Sequence, residues 1–317
     1  MPDNALLQCH KLSKFFAVKS GFLGKKRLLK AVDAASFVLD KGECLGLVGE
    51  SGCGKSTLGR MICGLLAPSQ GSVSLLGREL PLANAQSWAA GRLQMIFQDP
   101  FSSLNPRMTV AASVAEPLAA RGVGRNERLL AADAMLAMVG LEGVGKRYPH
   151  EFSGGQRQRI AVARALMTRP DVIVCDEPVS ALDASVQAQI LNLLCDMQEQ
   201  FSPAYLFISH DLNVVGFMCQ RIMVMYLGRL LEEGPRDELF AHAAHPYTQA
   251  LLSASLESRE IDEKAVLQGE LPSPLHPPKG CVFHPRCPKA EKICTQEVPA
   301  WQTLGPHWRV RCHFAQS

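Results

Sequence analysis

The chain has 317 residues, of which 47% are hydrophobic and 20% charged, so a sizeable buried core is expected and wholesale disorder is excluded. Its formal net charge of +3 is too mild to demand nucleic acid as a partner. No apolar run approaches the ~18 residues of a membrane-spanning helix, and Met1-Pro2-Asp3-Asn4-Ala5 lacks the basic-then-apolar order of a secretory signal. An intracellular chain is expected, able to reach a membrane through partners.

In chain order, the basic stretch Lys19–Lys30 (Lys19, Lys25, Lys26, Arg27, Lys30) reads as a solvated hairpin loop, with a membrane-surface role as the alternative. Ala31–Leu39 and Ser72–Leu76 read as strands of a flanking antiparallel sheet. Four apolar runs, Cys44–Val48, Val172–Cys175, Tyr205–Ile208 and Ile222–Tyr226, have the pattern of buried parallel strands. Helical patterns separate some of them, which points to an α/β fold. Between about Asp99 and Arg169 the pattern turns helical: Leu129, Ala132, Leu136 and Val139 recur at helix spacing, and Gly140 is a stop. The spacing predicts a helical insert inside an α/β domain. After about Leu239 the texture changes. A short helix is predicted from His245-Pro246-Tyr247 to about Leu256, followed by a proline-rich tail with no large core of its own.

Gly49-Glu50-Ser51-Gly52-Cys53-Gly54-Lys55-Ser56-Thr57 follows a buried strand and opens a helix, fitting G-x-x-x-x-G-K-[ST]. The glycines let backbone N–H groups turn toward phosphate oxygens, and the helix N-terminus adds partial positive charge. Lys55 is the expected point charge at the β- and γ-phosphates, and Ser56 a Mg²⁺ ligand. The strand Val172–Cys175 ends in Asp176 and Glu177, 121 residues beyond Lys55. Asp176 can hold Mg²⁺ directly or through water, and Glu177 can polarise the water that attacks a γ-phosphate. Together these elements indicate a nucleotide hydrolase without saying which kind.

Phe152-Ser153-Gly154-Gly155-Gln156 runs into a helical pattern, so Ser153 can cap the helix and the glycines expose its amides. Here the chain resembles the ATP-binding-cassette (ABC) ATPases, whose signature is Leu-Ser-Gly-Gly-Gln. Phe152 departs from that pattern at its first position and leaves Ser153, Gly154, Gly155 and Gln156 intact. The remaining motifs stand in order. Gln98 matches the glutamine that senses Mg²⁺ and the attacking water. Ser180-Ala181-Leu182-Asp183 matches the D-loop, and His210 the switch histidine at the γ-phosphate. Phe16 matches the aromatic that stacks on adenine, with the adjacent Phe15 as the alternative. The resemblance covers about residues 5–240. It implies a head-to-tail dimer in which each ATP lies between one chain's phosphate loop and the other chain's signature.

Eleven cysteines are present, four of them (Cys281, Cys287, Cys294, Cys312) within the last 37 residues at C-x₅-C-x₆-C-x₁₇-C spacing. That spacing lacks the C-x₂-C pair usual in zinc fingers and ferredoxins, so the residues alone say only that a tetrahedral four-thiolate site is feasible. Two segments resemble the oligopeptide/dipeptide/nickel import branch of the family. One is Phe97-Gln98-Asp99-Pro100-Phe101-Ser102-Ser103-Leu104-Asn105-Pro106-Arg107-Met108. The other is the tail with His245-Pro246-Tyr247-Thr248 and Gly280-Cys281-Val282-Phe283-His284-Pro285-Arg286-Cys287-Pro288. The resemblance implies a [4Fe–4S] cluster on the four cysteines, with zinc or unligated thiols as the alternatives. It also implies that Phe101 and Leu104, where exposed, suit docking of a permease, with a core position for each as the alternative.

The expected fold is thus a P-loop NTPase core of ABC type over 1–240, with a flanking antiparallel β-subdomain and a helical subdomain at about 99–169. A small cysteine-containing extension covers 241–317. The expected role is the ATPase of a bacterial importer for di-/oligopeptides or a related solute such as a nickel chelate, at the cytoplasmic face of the inner membrane. The resemblance implies two permease subunits, a second and paralogous ATPase chain, an extracytoplasmic solute-binding protein and no nucleic acid as partners. The alternative is a soluble ABC-type ATPase of iron–sulfur assembly, DNA maintenance or translation. A single cassette without sustained heptads disfavours the last two.

Overall fold

The computed structural model describes residues 5–19, 26–81, 89, 91–99, 103–255 and 272–315. Its elements run β1 (Ala5–Lys19), β2 (Lys26–Asp40), β3 (Cys44–Val48), α1 (Lys55–Ile62), β4 (Gln70–Leu75), β5 (Arg78–Glu79) and β6 (Leu93–Ile96). Then follow α2 (Val110–Ala119), α3 (Arg125–Met138), α4 (Gly154–Leu166), β7 (Val172–Asp176), α5 (Ala184–Phe201), β8 (Ala204–Ile208) and α6 (Leu212–Met218). The last are β9 (Arg221–Tyr226), β10 (Arg229–Pro235), α7 (Arg236–His242), α8 (Pro246–Ser255), α9 (Lys292–Gln296), β11 (Gln302–Gly305) and β12 (Trp308–Val310). All four predicted buried strands are present as β3, β7, β8 and β9, and both predicted flanking strands as β2 and β4.

The chain divides into two compact units. The first comprises Met1–Leu6, Leu39–Glu43 and Asn84–Ile208. Its parallel strands β6, β7 and β8 pair in register, Leu93 with Val172 and Val172 with Ala204. Every residue of β7 and β8 is buried, which is why both read as continuous apolar runs instead of alternating ones. Helices α2, α3 and α4 realise the predicted helical segment. Thr109 caps α2 by accepting from the Ala112 amide, and α3 stops at Val139 and the left-handed Gly140. Helix α4 turns Ile160, Val162, Ala163 and Leu166 inward. Its Arg164 reaches out to the Ser103 carbonyl and the Glu116 carboxylate, both at 2.6 Å.

Leu104 takes the core reading of the two. It is 4% exposed and packs as a core residue, because the apolar interior of this unit outcompetes solvent for a leucine in that turn. It offers no docking surface. Phe101, the other residue in that reading, lies outside the described residues, as does most of the basic stretch before Arg27.

The second unit comprises Leu7–Val38, Cys44–Ala83 and Ser209–Ser317. Strands β2, β1, β4 and β5 form an antiparallel sheet in that order, with Leu7 opposite Leu75. A second set runs β11-β12-β10-β9-β3, in which β3 and β9 are parallel and the others antiparallel. Arg229 on β10 donates two hydrogen bonds to Asp33 Oδ2 on β2, at 2.9 and 2.7 Å.

The described residues of the tail include a strand pair that the sequence did not reveal. The β11–β12 hairpin adds itself to β10, pairing Glu232 with Val310. Ala244, Val310 and Cys312 form a small core, onto which Leu304, Trp308 and Phe314 pack. Arg309 and Arg311 place their guanidinium groups 4.4 and 4.7 Å from the centre of the Trp301 ring. The extension thus borrows most of its framework from the sheet it joins.

Candidate functional site

The phosphate loop grows out of β3, a fully buried strand that fixes its entry. A side chain at Gly49 would collide with the Met225 carbonyl oxygen, and one at Gly54 with that of Ala31. Both backbones therefore approach neighbouring strands more closely than any Cβ permits. Gly54 is left-handed and precedes α1 without offering a side-chain cap. The first amides of α1 consequently lack the carboxylate or hydroxyl that usually satisfies them, which leaves a site for an anion.

Lys55 is buried, and its ammonium donates to the Gly49 carbonyl at 2.6 Å and the Glu50 carbonyl at 3.1 Å. It arches back over the loop. Ser56 and Thr57 stand half-buried in the first turn of α1, and Ser51 and Gly52 are exposed at the tip of the loop.

Cys53 is 1% exposed, and burial pushes its thiol up even though Lys55 opposes this. A bulky thiol reagent must therefore open the loop before reacting. Expected labelling of Cys53 in the native chain is at least about tenfold slower than in the denatured chain, because thiolate and access are both scarce. Saturating ATP slows it further. Mass-spectrometric timing of maleimide attachment at Cys53 checks this, and rapid native labelling contradicts it.

In the first unit, Asp176 is the buried last residue of β7. Glu177 follows with φ of 48°, a left-handed conformation that a glutamate rarely adopts. Its amide donates to the Ile208 carbonyl at 2.9 Å, which holds the turn in place. Strained backbone of this kind is tolerated where the surrounding sheet over-determines it. Gln98, just after β6, donates its amide to Glu177 Oε2 at 3.0 Å and to Ser180 Oγ at 3.4 Å. The structure therefore brings Gln98, Glu177 and the D-loop serine together. Asp183 caps α5 by accepting from the Val186 amide at 3.0 Å and the Ser185 hydroxyl at 2.8 Å. Those bonds, the amide first, hold its carboxyl below the usual range.

The signature motif opens α4. Ser153 accepts from the Gln156 amide at 3.4 Å, and Gln156 Oε1 accepts from the Ser153 amide at 3.0 Å. This reciprocal box fixes the helix start. The Ser153 hydroxyl keeps its proton available for an incoming anion, with exposed Gly154 beside it. Any side chain at Gly155 would strike Val186 of α5. Phe152, the departure from the family pattern, is buried beneath the Arg147 guanidinium, 4.5 Å from its ring centre. The first signature position is thus a packing position here, filled by an aromatic ring.

The phosphate loop, Phe16 and His210 belong to the second unit; Gln98, Ser153–Gln156, Asp176 and Glu177 belong to the first. His210 is exposed after β8, between Ser209, whose hydroxyl accepts from the Asp211 amide, and Asp211, which caps α6. Phe16 on β1 is 36% exposed, with Lys14 Nζ 5.3 Å from its ring centre, while Phe15 is half-buried. Phe16 is therefore the better exposed of the two candidate stacking rings.

Cys281, Cys287, Cys294 and Cys312 all line one cavity, together with His245, Phe283 and Phe314. Burial pushes Cys281 up to about 11 and raises Cys287 and Cys312 as well, so these thiols are neutral without a metal. Among the described residues, no group of three or more His, Cys, Asp or Glu side chains stands in metal-binding geometry.

Sequence reasoning missed one contact to the phosphate loop. The second residue of the motif, Glu50, is bonded to Tyr247 and Arg286 of the tail. Glu50 and Arg286 are 236 positions apart, and nothing in composition or spacing links them.

Residues 32–180 match the family model described as ABC transporter, and residues 231–294 that described as oligopeptide/dipeptide transporter, C-terminal region. The oligopeptide transport ATP-binding protein AppF of Bacillus subtilis is 47% identical over 325 residues, covering 98% of each chain. The dipeptide transport ATP-binding protein DppF of Escherichia coli is 48% identical over 306 residues, covering 95% of this chain and 92% of the relative. Among solved structures, CbiO1 of Clostridium perfringens, part of an ABC transporter complex, superposes with a TM-score of 0.64 at 26% identity. It covers 76% of this chain and 92% of its own. An ATP-binding cassette dimer in a post-hydrolysis state with ADP and Pi gives a TM-score of 0.63 at 27% identity, covering 73% and 99%.

Proposed function

This chain belongs to the ABC transporter ATP-binding proteins of the oligopeptide/dipeptide branch, and from that premise we propose that it powers a bacterial importer of di- or oligopeptides by binding and hydrolysing ATP. The observation that carries this reading is the extent of the likeness. It runs through 98% of the chain, cassette and extension alike, and the relatives described above are named for peptide transport. A soluble ATPase of another pathway would have no reason to keep the transporter-type extension.

Lys55 neutralises the β- and γ-phosphates, and the uncapped amides of α1 take the remaining oxygens. Ser56, Gln98 and Asp176 offer hydroxyl, amide and carboxylate oxygens, a hard donor set that suits Mg²⁺. The orientation of Gln98 fits this, because its nitrogen is committed to Glu177 and its oxygen faces away from that bond. Mg²⁺, when bound, neutralises triphosphate charge and polarises the γ-phosphate. Glu177 takes the proton of the attacking water, positioned by Gln98, and His210 contacts the γ-phosphate. Ser153, Gly154, Gly155 and Gln156 grip the nucleotide held by a partner ATPase chain, a paralogue in this reading. Phe16 stacks on the adenine.

The chain works at the cytoplasmic face of the membrane, bound to two permease subunits and served by a solute-binding protein. No helix among the described residues is long and apolar enough to cross a membrane. Mild solubilisation of membranes, affinity purification of the tagged chain and mass spectrometry of what accompanies it test this. Recovery of two permease subunits and a second ATPase is expected. Recovery of only ribosomal, DNA-bound or cluster-assembly proteins overturns the transport reading and leaves the ATPase chemistry standing.

The extension further carries a [4Fe–4S] cluster in this reading. Its support is the donor chemistry: four thiols on one cavity, with apolar walls from Phe283 and Phe314. A bound metal would deprotonate them, in Cys281, Cys287 and Cys312 against the burial that raises those thiols. Anaerobic purification is expected to give iron and labile sulfide in equal amounts, lost in Cys287→Ser. Zinc alone, or no metal, refutes the cluster without touching the ATPase.

A further inference from the structure

The phosphate loop is tied to the C-terminal extension through Glu50. Its amide donates to Tyr247 Oη at 2.9 Å, and both its carboxylate oxygens accept from Arg286 Nη1 at 3.0 Å. The Arg286 side chain is 7% exposed and that of Glu50 23%, so water and salt screen this pair poorly. Arg286 also reaches Tyr226 Oη at 3.4 Å and lies 5.9 Å from the centre of that ring. Tyr226, Tyr247 and Phe283 pack on one another with ring centres 4.7–5.4 Å apart. They fix both anchors before any nucleotide arrives.

The chemistry of Glu50 makes this more than a surface contact. Its N–H is held by Tyr247, and its C=O accepts from Lys55 at 3.1 Å. One residue thus joins the extension to the lysine that meets the phosphates. Arg286, moreover, ends the 3₁₀ turn His284–Arg286, between Cys281 and Cys287. Its position depends on how that cysteine-bearing segment is folded.

We propose that Arg286 and Tyr247 are positioning residues of the nucleotide site: they hold Glu50 so that the phosphate loop keeps the shape Lys55 and the α1 amides require. The extension then raises nucleotide affinity by removing an ordering cost that a free loop would incur on binding. Whatever folds the four-cysteine segment sets ATP affinity at a distance. The inference rests on the phosphate-loop reading given above.

The test uses the full chain and a fluorescent ATP analogue with Mg²⁺, with thermal unfolding followed in parallel. Glu50→Gln and Arg286→Met are each expected to weaken nucleotide binding about tenfold, since each removes the same charge-assisted bond. The double variant is expected to be no weaker than the poorer single one, because the two share that contact. Arg286→Lys keeps a cation where one nitrogen makes both bonds, and recovers most of the affinity. Tyr247→Phe loses only the hydroxyl and weakens binding several-fold. The Glu50→Gln midpoint is expected to stay within about 4 °C of the parent, so a folding defect does not account for the loss.

Unchanged affinity in folded Glu50→Gln and Tyr247→Phe, or fully additive losses in the double variant, overturns the proposal. A parent chain that binds no nucleotide, or a Lys55→Ala chain that binds as well as the parent, overturns the phosphate-loop reading instead.

Discussion

Glu177→Gln is expected to lower ATP hydrolysis roughly 10²–10⁴-fold while nucleotide binding stays within a few-fold of the parent. Glutamine matches glutamate in shape and still accepts from Gln98 through its amide oxygen. It keeps the left-handed turn, because that turn is held by the Glu177 amide bonded to the Ile208 carbonyl and not by the side chain. What it loses is the ability to take a proton from water. The variant therefore separates binding from chemistry. Single-turnover hydrolysis beside equilibrium binding measures the split. A rate within about threefold of the parent would assign the base elsewhere, and a parallel loss of binding would make Glu177 a binding residue.

The largest effect on stability is expected at Glu232. Its carboxylate is fully buried and accepts three bonds: from the Ala244 amide at 2.8 Å, the His245 amide at 3.0 Å and the Trp308 indole at 3.2 Å. It joins β10, the entry to α8 and the β12 strand at one point. Glu232→Ala leaves two buried amides and the half-buried Trp308 indole N–H without an acceptor and is expected to destabilise the chain by about 3–5 kcal/mol. Glu232→Gln keeps the shape and one acceptor oxygen, so its loss is smaller. Urea unfolding of the two variants beside the parent checks the order. An alanine variant with an unchanged midpoint would mean that water or a shifted backbone satisfies those donors.

The effects of Glu232 and Glu50 meet in one segment. Glu232 fixes the His245 amide, the Tyr247 amide donates to His245 Nδ1 at 3.0 Å, and Tyr247 Oη accepts from Glu50. His245 is 1% exposed, and burial pushes it down to about 3, so it stays neutral throughout the physiological range. Its Nδ1 is the acceptor and Nε2 carries the proton. The three residues His245, Pro246 and Tyr247 thus run from the cysteine cavity to the phosphate loop.

The sequence by itself determined the family. Phosphate loop, strand-end acids and signature each place their chemistry within a few consecutive residues, where local backbone geometry decides the outcome. A glycine that must adopt a left-handed turn, a serine three residues before a capping partner and an apolar strand ending in Asp176 and Glu177 are all legible locally. The buried strands were legible too, because parallel strands covered on both faces are apolar throughout.

Only the tertiary structure decided the rest, for reasons of range and competition. Leu104 could be read as a docking or a core residue because a lone leucine in a polar loop carries no sign of which way it turns; packing turned it inward. The β11–β12 hairpin was missed because strands of four and three residues carry too few alternations to register, and their stability comes from pairing with β10. The bond between Glu50 and Arg286 was invisible for a stronger reason. A charge pair separated by 236 residues leaves no local pattern, and only the folded chain brings its two halves within 3.0 Å.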